Sequence, residues 1–152
     1  MPLEVGDKAP DFTLPTDSWD TTVSLVDFTK DGPVALFFYP GDWSSVCTDQ
    51  LGVLQSEMSR FDELGAKVVA VSADTPWSHR AFAEQRGIEF PLVSDLERAA
   101  IEDYGVRHEG GFSKRAYFVI DREGVVRAKK VESTPKDQPE VDTVLEDLKK
   151  AQ

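Results

Sequence analysis

Apolar positions along the 152-residue chain fall into unbroken runs and into spacings of three and four, and the change of pattern marks out the elements. Two short stretches, 11–16 (DFTLPT) and 21–25 (TTVSL), read as strands joined by the polar turn DSWD. The continuous run 33–39 (PVALFFY) predicts a central strand covered on both faces. From Ser45 the pattern turns helical: Leu51, Leu54, Met58 and Phe61 recur on one stripe until Gly65 ends it.

A second buried strand is predicted over 67–73. The stretch 75–87 predicts a helix with Thr75 as N-cap, Pro76 at its first position and Gly87 as its stop. A short strand over 90–95 and a short helix over 96–105 follow. Strands over 114–121 and 125–133 flank the three-residue turn REG and predict a hairpin. The segment 131–141 reads as a polar connection to a closing amphipathic helix over 138–150, apolar at Val141, Val144, Leu145 and Leu148. This order predicts an α/β fold in one domain over 1–152. Its mixed sheet is expected to be parallel in the middle and antiparallel at one edge, with helices on its faces.

Composition narrows the function. A net charge of −11 leaves no basic stripe for phosphates, so nucleic acid is not an expected partner. The acidity suits solubility, and adaptation to high intracellular salt is a second reading of it. No apolar stretch approaches the roughly 20 residues needed to span a bilayer, so no membrane is expected. The opening MPLEVGDKAP has neither a basic nor an apolar signal region. One cysteine, Cys47, rules out an internal disulfide and fits a reducing, cytoplasmic setting.

Cys47 falls where the central strand hands over to a helix, the end at which open α/β sheets form their ligand crevice. Ser44 or Ser45 can cap that helix and leave Cys47 in its first turn, where free N–H groups favour an anion. The plain alternative is a small apolar filler, since Cys47 lies four residues before Leu51 on the same stripe. Magnitudes limit what the helix can do. A free thiol with pKa ~8.5 is about 3% ionised at neutral pH. Reaching a pKa of ~6 takes about 3.4 kcal/mol, and a helix terminus supplies at most about 2. A cation is required. Arg115, at the start of the apolar strand AYFVI, is the candidate, unless it is only the last solvated residue before that strand. His79 and His108 stand in no cluster with metal-ligand spacing and read as structural or solvated, and no metal or cofactor is expected. Trp43 and Trp77 read as core or interface aromatics, Trp43 as a wall of the pocket or a dimer contact.

The segment PGDWSSVC resembles the P-x-x-x-[T/S]-x-x-C signature of the peroxiredoxins, with Pro40, Ser44 and Cys47 on its positions. The likeness extends to VGDKAPDFTL, VALFFYP, VVAVSADTPWSHRAFAEQRGIEFPLVSD, YGV and SKRAYFVID. It implies a thioredoxin-like fold and a single-cysteine, AhpE-like or BCP-like thiol peroxidase that reduces hydrogen peroxide or organic hydroperoxides through a Cys47 sulfenic acid. By position, Arg115 would stabilise the thiolate and the polarised peroxide, Ser44 would exchange a hydrogen bond, and Pro40 would shield the sulfur. Ser44 replaces the commoner threonine, and Gln50 stands where the family often has a polar or acidic side chain. With no second cysteine, regeneration is expected to use an external thiol, which is a small thiol, a redoxin or Cys47 of another subunit, and the resemblance implies a homodimer. Two other readings stay open. One is a thioredoxin-like redox sensor, and the other is a thiol–disulfide exchange protein whose CxxC has become SSVC.

Overall fold

The run at 33–39 becomes β3 (Val34–Phe38), in which every residue is buried. With β4 (Lys67–Ser72), β5 (Leu92–Ser94), β6 (Ala116–Ile120) and β7 (Val126–Val131) it forms a five-stranded sheet of order β5-β4-β3-β6-β7 in the computed structural model, which describes residues 3–134 and 138–152. β4 runs parallel to β3 and β5 parallel to β4, while β6 is antiparallel to β3 and to β7. The parallel part is therefore one half of the sheet and reaches an edge, rather than filling the middle as the sequence suggested. The helical crossovers after β3 and β4 add strands on one side, and the terminal hairpin closes the other.

Side chains of β3 alternate between two cores, as a strand buried on both faces requires. Phe37 and Tyr39 point to the face covered by α2 (Ser45–Ser56), α3 (Met58–Glu63), α4 (Pro76–Arg86) and α6 (Val141–Lys150). Leu36 and Phe38 point to the face with Leu25 of α1 (Leu25–Thr29), Ile101 of α5 (Ala99–Asp103), Tyr104 and Val106. The stretches 11–16 and 21–25 do form strands, β1 (Thr13–Pro15) and β2 (Thr22–Ser24), but these pair only with each other, as a separate two-stranded sheet.

Three local outcomes differ from the pattern. α1 went unread because it is one turn long, although Ser24-x-x-Asp27 carried the signal: the Ser24 N–H donates to Asp27 Oδ2 at 2.9 Å. The helix expected from Ser45 to Gly65 breaks at Glu57, whose φ of −103° and ψ of 9° leave the helical well. Ser56 Oγ donates to the Val53 carbonyl at 2.7 Å, the back-bonding that bends helices. α5 begins three residues later than expected, after Arg98 in a left-handed conformation at φ 66°. α4, by contrast, has the predicted ends: Thr75 Oγ1 accepts from the Ser78 N–H, Pro76 opens the helix, and Gly87 closes it at φ 67°. Part of the polar connection over 131–141 lies outside the described residues. Among the described residues, no helix is long and apolar enough to cross a membrane.

Two glycines give a paired test of this packing. At Gly32, beside the start of β3, an added Cβ would run into the Gly65 carbonyl oxygen, whereas at Gly52 on α2 it meets nothing within 4 Å. Gly32→Ala should lower stability by about 1–3 kcal/mol, and Gly52→Ala should raise it by about 0.5–1 kcal/mol. Urea unfolding followed by tryptophan emission measures both.

Candidate active site

The end of β3 and the start of β6 meet by register. Phe38 pairs with Ala116, so Tyr39 and Arg115 are the next residues along the two antiparallel strands. Arg115 shares the two-residue period of Tyr117 and Val119, both of which belong to the core that contains Cys47. Strand geometry thus turns the guanidinium toward α2. Arg115 is only 1% exposed, which removes the solvated reading.

On the other side, α2 presents Cys47, Gln50, Leu51 and Leu54 inward, spaced as one helical face. Ser44 is its N-cap: the hydroxyl oxygen accepts from the Cys47 N–H at 3.1 Å, while the Ser44 carbonyl accepts from the Thr48 N–H at 2.9 Å. Cys47 is fully buried. Arg115 Nη2 donates to Cys47 Sγ at 3.2 Å and Nη1 donates to Gln50 Oε1 at 2.5 Å. A guanidinium has donors only, so the sulfur is the acceptor and the Gln50 amide has one possible orientation. Cys47, Arg115 and Ser44 are therefore brought together. Pro40, half-buried, opens the turn that leads from Tyr39 into α2.

Beneath that turn lies a second polar cluster that sequence reading missed. Tyr39 Oη donates to Asp42 Oδ1 at 2.6 Å, and Ser78 Oγ donates to Asp42 Oδ2 at 2.8 Å. His79 Nδ1 lies 2.8 Å from the same Oδ2, and His79 Nε2 lies 3.0 Å from the Val93 carbonyl. The Asp42 N–H donates to Asp74 Oδ2 at 2.7 Å, and that oxygen also accepts from Ser72 Oγ at 2.6 Å. Burial, reinforced by the neighbouring Asp42, keeps the Tyr39 phenol well above its ordinary range, so it remains a donor. Burial also holds the Asp74 carboxyl above its ordinary value, although the Ser72 hydroxyl opposes the rise. Asp42, Asp74 and His79 lie close enough to hold a cation. Both ring nitrogens of His79 already have protein partners, however, so the group is accounted for without one.

His79 is thus buried and structural, and His108 stacks on Phe112 with ring centroids 4.3 Å apart. Trp77 is 67% exposed and so is not a core residue; its ring meets Trp19 edge-on. Trp43 packs against Phe82, and its indole N–H donates to Ser78 Oγ at 3.1 Å.

A buried thiol held by a guanidinium, on a helix that leaves the central strand of such a sheet, defines a thioredoxin-like thiol oxidoreductase. Comparison makes the class specific. The profile of the AhpC/TSA family matches residues 5–129, and the chain belongs to this family, the peroxiredoxins, which are thiol-dependent peroxidases. It is 38% identical over 136 residues to the 2-cysteine peroxiredoxin of Chattonella marina var. antiqua, a chloroplastic protein, covering 84% of this chain and 70% of that one. The crystal structure of peroxidoxin BcpB from Mycobacterium tuberculosis superposes with a TM-score of 0.87 at 30% identity, over 99% of both chains. AhpC of Enterococcus faecalis superposes with a TM-score of 0.88 at 28% identity, over 99% of this chain and 92% of that one.

Asp74 gives the site a pH signature. Its folded-state pKa lies above the free value of 3.8, so its stabilising share is complete below that value and is lost as pH rises through the raised one. Asp74→Asn keeps an oxygen to accept from Asp42 and Ser72. The difference in urea midpoint should therefore move in the variant's favour as pH climbs out of the acid range, then level off. A difference that does not change with pH would refute the buried-carboxylate account.

Proposed function

We propose that the chain, acting as a single unit over 1–152, reduces hydrogen peroxide or small organic hydroperoxides, with Cys47 as the nucleophile. The observation that carries this reading is the buried Sγ 3.2 Å from Arg115 Nη2, at the capped start of α2. The Cys47 thiolate attacks one peroxide oxygen: an S–O bond forms and the O–O bond breaks. The other oxygen leaves with the electron pair, takes a proton and departs as water or an alcohol, and the cysteine becomes a sulfenic acid. Charge moves from sulfur to the leaving oxygen, so donors already aimed at that point count most. Arg115 is positioned to serve both ends of that transfer. Ser44 holds the helix start, and Pro40 limits the access of water.

With one cysteine in the sequence, an external thiol must take the sulfenic oxygen away as water, first forming a mixed disulfide that a second thiol resolves. A small thiol or a redoxin fits this role, and a reducing cytosol suits the lone thiol. The solvent-facing Trp43 and the exposed Trp19–Trp77 pair support a homodimer. The disulfide-exchange reading is weaker, because Ser44 stands where a second thiol would be needed and its oxygen is engaged by the Cys47 N–H.

The test is direct. One equivalent of hydrogen peroxide should oxidise the reduced protein far faster than free cysteine at equal thiolate fraction, and a 1,3-diketone should trap the sulfenic acid at Cys47. Cys47→Ser should abolish the reaction, and Arg115→Ala should slow it by about 100-fold or more. A rate no faster than that of free cysteine would falsify the reading.

A further inference from the structure

Trp43 sits one residue before the N-cap of α2 with φ of 73°, a left-handed conformation that a bulky side chain adopts only where its surroundings over-determine it. The surroundings here can be named. The indole stacks edge-on against Phe82 and its N–H donates to Ser78 Oγ at 3.1 Å. Having accepted that bond, the Ser78 hydroxyl has its own hydrogen left for Asp42 Oδ2. The Asp42 side chain has no solvent exposure, and its two oxygens face Tyr39 Oη, Ser78 Oγ and His79 Nδ1.

His79 fixes the polarity of the set. A carbonyl oxygen only accepts, so Nε2 facing Val93 carries hydrogen. The other ring nitrogen, Nδ1, faces Asp42 Oδ2 at 2.8 Å. The titratable groups facing this ring are Tyr39, Asp42 and Asp74. Below, the Asp42 N–H is tied to Asp74 at the end of β4. The turn from Pro40 to Ser44 is thus tied to the end of β4 and the start of α4 through Asp42 and Trp43, and Ser44 and Cys47 follow it at the start of α2.

We propose that Asp42, His79 and Ser78 are positioning residues for the peroxidase reaction. They hold the strained turn at Trp43 and so aim Pro40, Ser44 and the first turn of α2 at a peroxide bound over Cys47. This deepens the peroxidase reading of Cys47 and rests on it. A misplacement of about 1 Å in such a turn is enough to cost about 100-fold in rate. The same mooring keeps the sulfur covered, since Cys47 is buried although its cap, Ser44, is exposed.

The experiment separates aim from fold by using two reagents on Cys47. Asp42→Asn, His79→Gln and Ser78→Ala are compared with wild type, at temperatures where each is shown by circular dichroism to be folded. Peroxide rates should fall by about 10- to 100-fold in the first two variants. Alkylation by iodoacetamide should rise, because a loosened turn uncovers the sulfur. Ser78→Ala removes two hydrogen bonds at a half-buried position, the one donated to Asp42 Oδ2 and the one accepted from the Trp43 indole, and should show the same signs at about three- to tenfold.

In the double variant of Asp42 and His79 the losses should not multiply, since both act on one turn. Unchanged rates with both reagents in folded variants would overturn the mooring and leave the peroxidase reading intact. So would equal falls with both, or independent multiplication in the double variant. If wild type proves not to reduce peroxide, the peroxidase reading fails by itself. Faster alkylation in the variants then still supports the mooring of the turn, and unchanged alkylation overturns that too.

Discussion

A buried guanidinium sets the terms for everything around Cys47. Arg115 has five N–H donors and no acceptor, and taking it out of water costs several kcal/mol unless those donors are met. The register of β6 on β3 forces it into the core at the mouth of the sheet, so the neighbouring helix must offer acceptors at matching heights. Cys47 Sγ and Gln50 Oε1, three residues apart on α2, do so. A unit negative charge 3.2 Å from a unit positive one is worth about 5 kcal/mol at an effective dielectric near 20. That gross attraction exceeds what a helix terminus offers, about 2 kcal/mol at most, and it is offset by desolvation.

How much of this was legible in the sequence follows from the range of each interaction. β3, β4 and α4 were readable because an apolar run, or a Thr-Pro start with a Gly stop, is a local signal. The break at Glu57 was not, because Leu51, Leu54 and Phe61 remain buried on both sides of it and keep the apolar period unbroken. The half-and-half sheet was misjudged for a different reason: sequence order does not say on which side of β3 the hairpin docks. Within the site, Arg115 could be found because an energetic shortfall at Cys47 called for a cation and few charges sit at the edge of an apolar strand. Asp42, His79 and Asp74 offered no such signal. Each looks like a surface polar residue in its own segment, and they meet only because β3 and β4 end, and α4 begins, at the same level.

The two polar groups differ in what they can release. The bonds beneath Trp43 are several and mutually supporting, and Asp42 keeps its remaining partners when one of them opens, at a loss of about 0.5–1.5 kcal/mol for each bond. The link between Ser44 and the Cys47 N–H is single and lies at an exposed residue, where water replaces it for about 1 kcal/mol. The turn is therefore held by several side-chain bonds on its strand side, and on its helix side by the Ser44 cap together with the bond from Arg115 to Cys47 Sγ. Under the proposed reaction that arrangement has a consequence. Peroxide is small enough to reach a covered sulfur, but a thiol reductant is not. For a reductant to reach Cys47, the first turn of α2 would have to give up both the Ser44 cap and the bond from Arg115.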